Sequence, residues 1–212
     1  MDWTVFHDLN GSLRGHAAIA DAIEDFATNW AVPIFVLATL GLWLLDRPGR
    51  RYRWKIACLS ALASGALGLL CAQVISHFWA RERPFQAHPA QTLLLAPPSY
   101  DPSFPSDHAV AAFAVAFSVA LIGGWRVGSF FLAAAAIVGV TRVFVGLHYP
   151  GDVAGGALLG LAAALAVFVA SRNRWSPIVA ALSRLTDPVA RPGWEALDAA
   201  RRRLRPGAGA NG

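Results

Sequence analysis

Charged residues are scarce in this sequence. Asp, Glu, Lys and Arg make up 15% of its 212 residues, against 56% hydrophobic residues, and the mean hydropathy is +0.46. A soluble globular domain carries about 25% charged residues, which cover its surface. The composition therefore excludes an ordinary soluble domain and indicates one integral membrane domain with apolar runs of near-membrane length.

Cysteine is also scarce, with Cys58 and Cys71 as the two examples. They lie 13 residues apart in one apolar run, which on a helix separates them by roughly 20 Å, far beyond the reach of a disulfide. We expect two buried core residues and no disulfide or zinc framework. The first residues also lack the basic start and apolar core of a signal peptide, so insertion is expected to depend on the spanning helices.

Five apolar runs predict helices that cross a membrane. They cover about residues 28–45, 56–79, 108–123, 127–143 and 152–171. Before them, residues 16–26 place apolar side chains at helical spacing among acidic ones, which predicts a helix lying at the membrane interface. The predicted fold class is all-α: a polytopic membrane helix bundle with about five spanning helices plus an N-terminal interfacial helix. In the last run Gly155, Gly156 and Gly160 permit close helix packing.

The chain divides into a membrane-embedded domain, 1–171, and a basic tail, 172–212. The tail contains no span, although four apolar residues predict a short interfacial helix: Ile178, Val179, Leu182 and Leu185. Its end combines arginines with glycine and alanine and predicts disorder.

Basic residues are distributed unequally between the two predicted sides of the membrane. The loops at 46–55 and 124–126 and the tail share one side and hold 14 of the 18 Lys+Arg, which predicts that this side is cytoplasmic. Topology therefore explains the net charge of +5 better than nucleic-acid binding does. Four arginines remain on the outer side: Arg14, Arg81, Arg83 and Arg142.

The longest connection between spans, residues 80–106, contains six prolines that exclude a continuous helix. Loops of this length without secondary structure are commonly functional. Within it, Leu93, Leu94 and Leu95 form an apolar patch that either packs against the bundle or contacts lipid.

Three polar stretches at the predicted outer ends of the spans form a candidate site. Arg83 and Arg142, with Arg81 as a further candidate, have guanidinium forks that match phosphate oxygens. Ser106 precedes a predicted helix, where it serves either as an N-cap or as a phosphate ligand beside backbone N–H groups.

Two histidines provide the groups that phosphoryl transfer requires. His148 precedes Asp152 by four residues, so the carboxylate can fix the imidazole tautomer and make His148 the nucleophile. His108 is then the general acid that protonates the departing oxygen. Asp107, beside it, is expected to have a structural role.

These stretches resemble the three signature motifs of the type 2 phosphatidic acid phosphatase superfamily. They read Arg83-Pro84, Pro105-Ser106-Asp107-His108 and Arg142-x5-His148-x3-Asp152. Within the superfamily the chain looks most like bacterial undecaprenyl-diphosphatases of the bacitracin-resistance type. The resemblance implies hydrolysis through a phosphohistidine without a metal or other cofactor, with His148 as nucleophile, Asp152 orienting it and His108 as acid. It also implies a phosphate site of Arg83, Arg142 and Ser106.

Two positions depart from the family pattern. Many members have a lysine seven residues before the arginine of the first motif, where this chain has Ser76, and Arg81 is a candidate replacement for its charge. Many members also have glycine where this chain has Asp107.

The expected reaction is hydrolysis of undecaprenyl diphosphate, a lipid phosphate held within the bilayer of the bacterial inner membrane, at a site facing the exterior, with a cytoplasmic C-terminus. The alternative substrates are phosphatidic acid and phosphatidylglycerophosphate. A metal-dependent hydrolase with histidine and aspartate ligands is disfavoured, because several arginines would surround the cation. A lipid-binding or transport protein without chemistry would explain the arginines but not the paired histidine and aspartate. No pattern indicates an oligomeric state.

Overall fold

The computed structural model describes residues 2–47, 52–171 and 174–203, and these residues form helices and no strands. The helices are α1 (Asp2–Gly11), α2 (Ala17–Asp25), α3 (Ala31–Leu45), α4 (Arg53–Phe78), the single turn α5 (Pro84–Ala87), α6 (Asp107–Ser118), α7 (Trp125–Phe144), α8 (Pro150–Ser171) and α9 (Trp175–Arg203). The all-α prediction is confirmed.

Four helices are long and apolar enough to cross a membrane: Ala17–Leu45, Arg53–Phe78, Trp125–Phe144 and Pro150–Ser171. The fifth predicted span is the shorter apolar helix Asp107–Gly123, in which a π-helical turn, Val119–Gly123, extends α6. The bundle thus has four full-length candidate spans and one short central helix.

The segment at 16–26 differs from its prediction as a separate interfacial helix. A π-helical turn, Phe26–Trp30, joins α2 directly to α3, so that Ala17–Leu45 is one helix. No proline or glycine occurs between 17 and 30, so the chain has no residue that would stop the helix at the expected boundary.

The centre of the bundle is α6, which packs against α4, α7 and α8. Two glycines of α8 allow the closest approach. A Cβ at Gly156 would lie 2.8 Å from the Cβ of Ala109, and a Cβ at Gly160 would lie 2.8 Å from the backbone nitrogen of Ala114. The predicted close packing through these glycines is confirmed.

The N-terminal helix α1 has no counterpart among the sequence predictions. Buried Asn10 attaches it to the bundle, because its amide nitrogen donates to the carbonyls of Leu93 and Phe144 at 2.8 Å each and its amide oxygen accepts from the N–H of Leu93 at 2.8 Å. The loop at 80–106 therefore packs against α1 as well as against the bundle.

The leucine patch in that loop is packed rather than free. Leu94 and Leu95 lie against a core cluster that includes Val145 and Leu147, and the N–H of Leu95 donates to the carbonyl of Val145 at 3.1 Å. Of the two alternatives for this patch, packing against the bundle is the one observed.

The other end of the bundle gathers the basic segments. Arg53 Nε donates to the carbonyl of Ile122 at 2.9 Å, and buried Lys55 forms an ion pair with Asp187 of α9. The two loops and the tail therefore lie at one end, as the alternation of spans predicts.

The tail forms a longer helix than expected. Instead of a short helix around Ile178–Leu185, α9 runs for 29 residues from Trp175 to Arg203, with Pro188 and Pro192 inside it. Its contacts with α3 and α4 support this length. The sequence predicts disorder from Arg201 onward, but α9 includes residues 201–203, so the prediction is wrong there. Residues 204–212 lie outside the described residues.

Candidate active site

The candidate site lies at the end of the bundle where α4 and α7 finish and α6 and α8 begin. Backbone hydrogen bonds join the second motif to the third and close the loop within the third. The N–H of Ser106 donates to the carbonyl of Asp152 at 3.1 Å, and the N–H groups of Leu147 and His148 donate to the carbonyl of Arg142 at 3.2 Å each. The second and third sequence motifs are therefore in direct contact.

His148 is buried in the loop between α7 and α8, and its two ring nitrogens have different partners. Nδ1 lies 2.8 Å from the carbonyl oxygen of Ser103, which can only accept a hydrogen bond. Nε2 lies 3.0 Å from Nη1 of Arg83, which can only donate. Both contacts require a neutral imidazole with its proton on Nδ1, so the lone pair is on Nε2.

The charge state of His148 follows from its surroundings. Burial lowers its pKa below the ordinary value, the positive charges of Arg83 and Arg142 act in the same direction, and Asp152 opposes them. At neutral pH the imidazole is therefore neutral, which is the form that can act as a nucleophile.

Asp152 is fully buried but forms no hydrogen bond with His148, since its Oδ2 atom lies 3.7 Å from Nδ1. Oδ2 instead accepts from the hydroxyl of Ser103 at 2.5 Å and from the N–H of Tyr149 at 2.8 Å. The carbonyl that holds the imidazole and the hydroxyl that binds Asp152 belong to the same residue, Ser103. Asp152 therefore acts on His148 indirectly: it holds Ser103, whose carbonyl fixes the proton on Nδ1. The sequence suggested a direct contact between Asp152 and His148.

Arg81 is bound by two carboxylates. Its Nη1 lies 2.7 Å from Oδ1 of Asp152 and its Nη2 lies 2.6 Å from Oδ2 of Asp2, while the guanidinium stacks over the ring of Tyr149 at 4.0 Å. The other oxygen of Asp2 accepts from the N–H of Gly151 at 2.8 Å. Arg81, which the sequence indicated as a further candidate phosphate ligand, is thus paired with the carboxylates of Asp152 and Asp2.

Arg83 is buried and has one carboxylate partner. Its Nη2 lies 3.1 Å from Oδ2 of Asp101, its Nε donates to the carbonyl of Asp101 at 3.0 Å and its Nη1 donates to the carbonyl of Leu147 at 3.1 Å. Burial opposes the ionised form of Asp101, but the Ser99 hydroxyl and the Arg83 charge outweigh it and lower the pKa of Asp101. A charged Asp101 therefore holds Arg83 against His148.

Arg142 is buried with most of its hydrogen-bonding capacity unused. Nη1 donates to the carbonyl of Ala27 at 3.3 Å, and Nε has no partner in the part of the chain that the structure describes. An unpaired buried guanidinium is costly, and an anion would offset that cost. Arg142 therefore has the free donors that a phosphate ligand needs.

Ser106 provides a further unused donor. It occupies the N-cap position of α6, yet its hydroxyl makes no cap hydrogen bond and, although fully buried, has no partner among the described residues. The cap prediction thus holds for the backbone position only, and the hydroxyl remains available to a ligand beside the first N–H groups of the helix.

His108 is the second residue of α6, two positions after Ser106, whose N–H donates to the carbonyl of Asp152. This places His108 beside the same cluster. Asp107 accepts a hydrogen bond from Nε2 of Gln73 at 3.2 Å. Its partner is thus a glutamine of α4, while its Oδ1 atom is buried without a partner among the described residues.

Ser76, at the position of the family lysine, donates from its hydroxyl to the carbonyl of Phe104 at 3.0 Å. This bond joins α4 to the segment before α6. Among the described residues no group of three or more His, Cys, Asp or Glu side chains is arranged to hold a metal ion.

Sequence reasoning missed three residues of the site. Ser103 supplies the carbonyl for His148 and the hydroxyl for Asp152, Asp101 pairs with Arg83, and Asp2 pairs with Arg81. Ser103 and Asp101 lie in the long loop, whose length was the one available signal. No spacing in the sequence connects Asp2 with residues 79 or more positions away.

An apolar groove of about 680 Å³ opens beside the site. His108 and Asp107 lie at one end of its lining, which continues along α3, α4 and α6 through Phe35, Leu40, Trp43, Leu59, Leu62, Ala111 and Val115. The groove therefore joins the polar cluster to an apolar surface on which Leu40 and Leu62 are exposed.

Comparison with known proteins gives consistent results. The model of the PAP2 superfamily matches residues 53–176. Undecaprenyl-diphosphatase BcrC of Bacillus subtilis is 30% identical over 161 residues, which are 76% of this chain and 79% of that protein. Decaprenylphosphoryl-5-phosphoribose phosphatase of Mycobacterium tuberculosis is 32% identical over 146 residues, which are 69% of this chain and 75% of that protein.

The crystal structure of Aquifex aeolicus LpxE has the same fold, with a TM-score of 0.59 at 18% identity over 79% of this chain and 94% of that chain. The matched family region includes all three motifs and most of the helices that position them. By its sequence and its fold, the chain belongs to the PAP2 superfamily and is a membrane phosphatase.

Proposed function

We propose that this protein removes the terminal phosphate of undecaprenyl diphosphate, yielding undecaprenyl phosphate and inorganic phosphate through a phosphohistidine intermediate. The observation that carries the proposal is the buried, neutral His148, whose Nε2 lone pair lies 3.0 Å from Arg83. The similarity to undecaprenyl-diphosphatase BcrC supports the choice of substrate.

In the first half of the reaction, the terminal phosphate binds between His148 and three groups that can hold its oxygens: Arg83, Arg142 and Ser106. Nε2 of His148 forms a bond to phosphorus while the bond from phosphorus to the bridging oxygen breaks. The negative charge of the bound diphosphate favours the protonated form of His108, which gives its proton to that oxygen, and undecaprenyl phosphate leaves. The phosphate displaces Arg83 from Nε2 and accepts the hydrogen bond that Nη1 of Arg83 had directed at this nitrogen.

The attack leaves a positive charge on the imidazole, since Nδ1 keeps its proton while Nε2 carries phosphorus. The carboxylate of Asp152, 3.7 Å from Nδ1, stabilises this charge through space. In the second half, a water molecule attacks phosphorus through its oxygen while His108 accepts a proton from that water. The bond from nitrogen to phosphorus breaks, and inorganic phosphate and neutral His148 result.

The apolar groove beside His108 supports a lipid substrate. A hydrocarbon chain in this groove is removed from water while its phosphate group reaches the polar cluster. A water-soluble phosphate ester has no hydrocarbon chain to bury in such a groove.

We further propose that the protein lies in the bacterial plasma membrane with this site facing the exterior and the C-terminus in the cytoplasm. The charge bias of the two ends supports that orientation, because the end opposite the site contains Arg53, Lys55, Arg126 and α9.

The substrate proposal is tested with purified protein in EDTA-containing buffer. Phosphate release is measured from undecaprenyl diphosphate, phosphatidic acid, phosphatidylglycerophosphate and decaprenylphosphoryl-5-phosphoribose phosphate. We expect the highest kcat/KM for undecaprenyl diphosphate. Preference for a glycerolipid would overturn the substrate, and loss of activity in EDTA that returns with added metal would overturn the metal-independent mechanism.

The mechanism is tested by trapping the intermediate with substrate labelled in its terminal phosphate. Acid-labile label on the wild-type protein, absent from His148→Gln, is expected. His88→Gln is the matched control, since this histidine lies outside the proposed machinery. A His148→Gln protein that folds normally and still turns over substrate would exclude His148 as the nucleophile.

A further inference from the structure

One face of α9 is apolar and exposed. Four residues at helical spacing form this stripe: Ile178, Leu182, Leu185 and Val189. Leu185 and Val189 have 73% and 79% of their surface exposed. Ile178 also lines a groove with Ala63 and Val167, so Leu185 and Val189 are the part of the stripe that the described residues leave most exposed.

A second face of α9 is basic. Arg184, Arg191 and Arg202 are exposed and separated by 7 and 11 residues, which places them on one side of a helix, about a third of a turn from the apolar stripe. Glu195 is the exposed carboxylate on that side. The arginines therefore outnumber the acidic groups on this face.

A third face attaches α9 to the bundle. Nζ of buried Lys55 lies 3.1 Å from the hydroxyl of Ser183 and is paired with Asp187. Farther along α9, Trp194 Nε1 donates to the carbonyl of Leu44 at 2.7 Å.

These contacts determine the direction of the helix. Lys55 lies in the first turn of α4 and Leu44 in the last turn of α3. Arg47, just beyond α3, pairs with Asp198 at 2.7 Å. A helix that contacts the ends of two spans in succession crosses the end of the bundle. Its apolar and basic faces are both distinct from the face that contacts the bundle.

We propose that α9 is a docking surface for anionic phospholipids. The stripe of Ile178, Leu182, Leu185 and Val189 inserts among the acyl chains, and Arg184, Arg191 and Arg202 bind the negatively charged headgroups beside it. Charge complementarity favours anionic over zwitterionic lipid. The residues of this surface, 178–202, lie outside the matched family region of 53–176, and the inference does not depend on the proposed substrate.

The test uses the full chain in nanodiscs of phosphatidylcholine alone or mixed with phosphatidylglycerol. Amide hydrogen exchange of residues 178–202 is measured in both. We expect exchange to be slower in the anionic discs by about fivefold or more, the effect of one arginine at an anionic surface, and we expect added salt to reduce the difference. Equal exchange in both lipids would overturn the proposal.

The matched variants separate the two faces. Arg184→Gln/Arg191→Gln/Arg202→Gln is expected to abolish the dependence on anionic lipid, whereas Arg126→Gln, an exposed arginine at the same end of the bundle, retains it. Leu185→Ser/Val189→Ser is expected to raise exchange in both lipids. A lipid effect that survives the triple substitution would contradict the proposal, as would a dimer in the discs that Leu185→Ser/Val189→Ser dissociates.

Discussion

At the scale of single residues, the imidazole of His148 is held from two sides. The Ser103 carbonyl fixes the proton on Nδ1, and Arg83 lies opposite Nε2. Because both partners are themselves bonded, to Asp152 and Asp101 respectively, the ring has one tautomer and one orientation before substrate binds. Such preorganisation is the geometric requirement of an efficient nucleophile.

Burial of His148 predicts the pH dependence of activity. Because the pKa of His148 is lowered from its ordinary value of 6.5, most of the rings are still neutral and reactive at pH 6.5. Protonation, and with it the loss of activity, needs a more acidic pH. The acid limb of kcat/KM is therefore expected to have its midpoint below about 6.5. The phosphate of the substrate also titrates, so its pKa is measured separately by ³¹P NMR and the pH profile is corrected for it. A midpoint above 6.5 after this correction would contradict the predicted neutral form.

Arg81 and Asp2 are predicted to position Asp152 rather than to bind phosphate. Arg81→Ala removes a charged partner from a buried carboxylate and is expected to lower kcat about 10-fold or more, with KM little changed. Asp2→Asn, which keeps the shape but weakens the pair with Arg81, is expected to have a smaller effect in the same direction.

Two readouts distinguish positioning from binding in this pair. Arg81→Lys is expected to restore part of kcat, since an ammonium still pairs with Asp152. A rise in KM with normal kcat in Arg81→Ala would instead assign Arg81 to phosphate binding.

At the scale of helices, the contact of α6 with α8 depends on glycine. Gly160→Ala introduces a Cβ 2.8 Å from backbone atoms of Val110 and Ala114, which cannot move away as a flexible side chain would. We expect a destabilisation of about 1–3 kcal/mol, measured by thermal unfolding in detergent. Gly41→Ala is the control, because a Cβ there meets nothing within 4 Å and alanine favours a helix. Equal stability of the two variants would contradict the packing argument.

The helices show which features hydrophobic pattern can predict. Long apolar runs correctly indicated the spans, because their length and composition are local properties. The pattern did not reveal α1, whose attachment through Asn10 is to residues 83 and 134 positions away. It also underestimated α9, because Pro188 and Pro192 normally end a helix.

In the candidate site, too, the sequence predicts local features but not the contacts between distant segments. Residue types and spacing indicated His108, His148, Asp152, Arg83, Arg142 and Ser106, and the structure brings them to one end of the bundle. The partners of each group were not predictable, because Arg81 with Asp2 and Asp152 with Ser103 are contacts between distant segments. The carboxylates that neutralise Arg81 and Arg83 decide which arginine has free donors, and sequence spacing contains no information on that choice.

At the scale of the whole molecule, the two ends of the bundle differ in how their buried basic side chains are paired. At one end Arg142 is buried and its Nε has no partner among the described residues, while at the opposite end buried Lys55 is paired with Asp187. The first arrangement is suited to an exchangeable anion and the second to a permanent attachment of α9.

Inorganic phosphate is therefore predicted to stabilise the folded protein. At 100 times its Kd a ligand adds about 2.7 kcal/mol, which corresponds to a rise in Tm of about 5–10 °C for a chain of this size. Chloride at equal ionic strength is the control and should leave Tm unchanged.

The variant Arg142→Gln is expected to lose most of the phosphate-dependent rise in Tm while being at least as stable without phosphate, because it removes an unpaired buried charge. A full phosphate response in this variant would exclude Arg142 from the phosphate site.

The contact between Arg83 and Nε2 of His148 also has a consequence for covalent inhibitors. A neutral electrophile must push aside a guanidinium at 3.0 Å without replacing the lost hydrogen bond, whereas an anionic reagent offers that guanidinium a new partner as it arrives. We therefore expect the imidazole to discriminate reagents by charge: a fluorophosphate anion should modify His148 readily, and an uncharged acylating agent of similar size should not. The arginine that recognises substrate would then also protect the nucleophile from accidental chemistry.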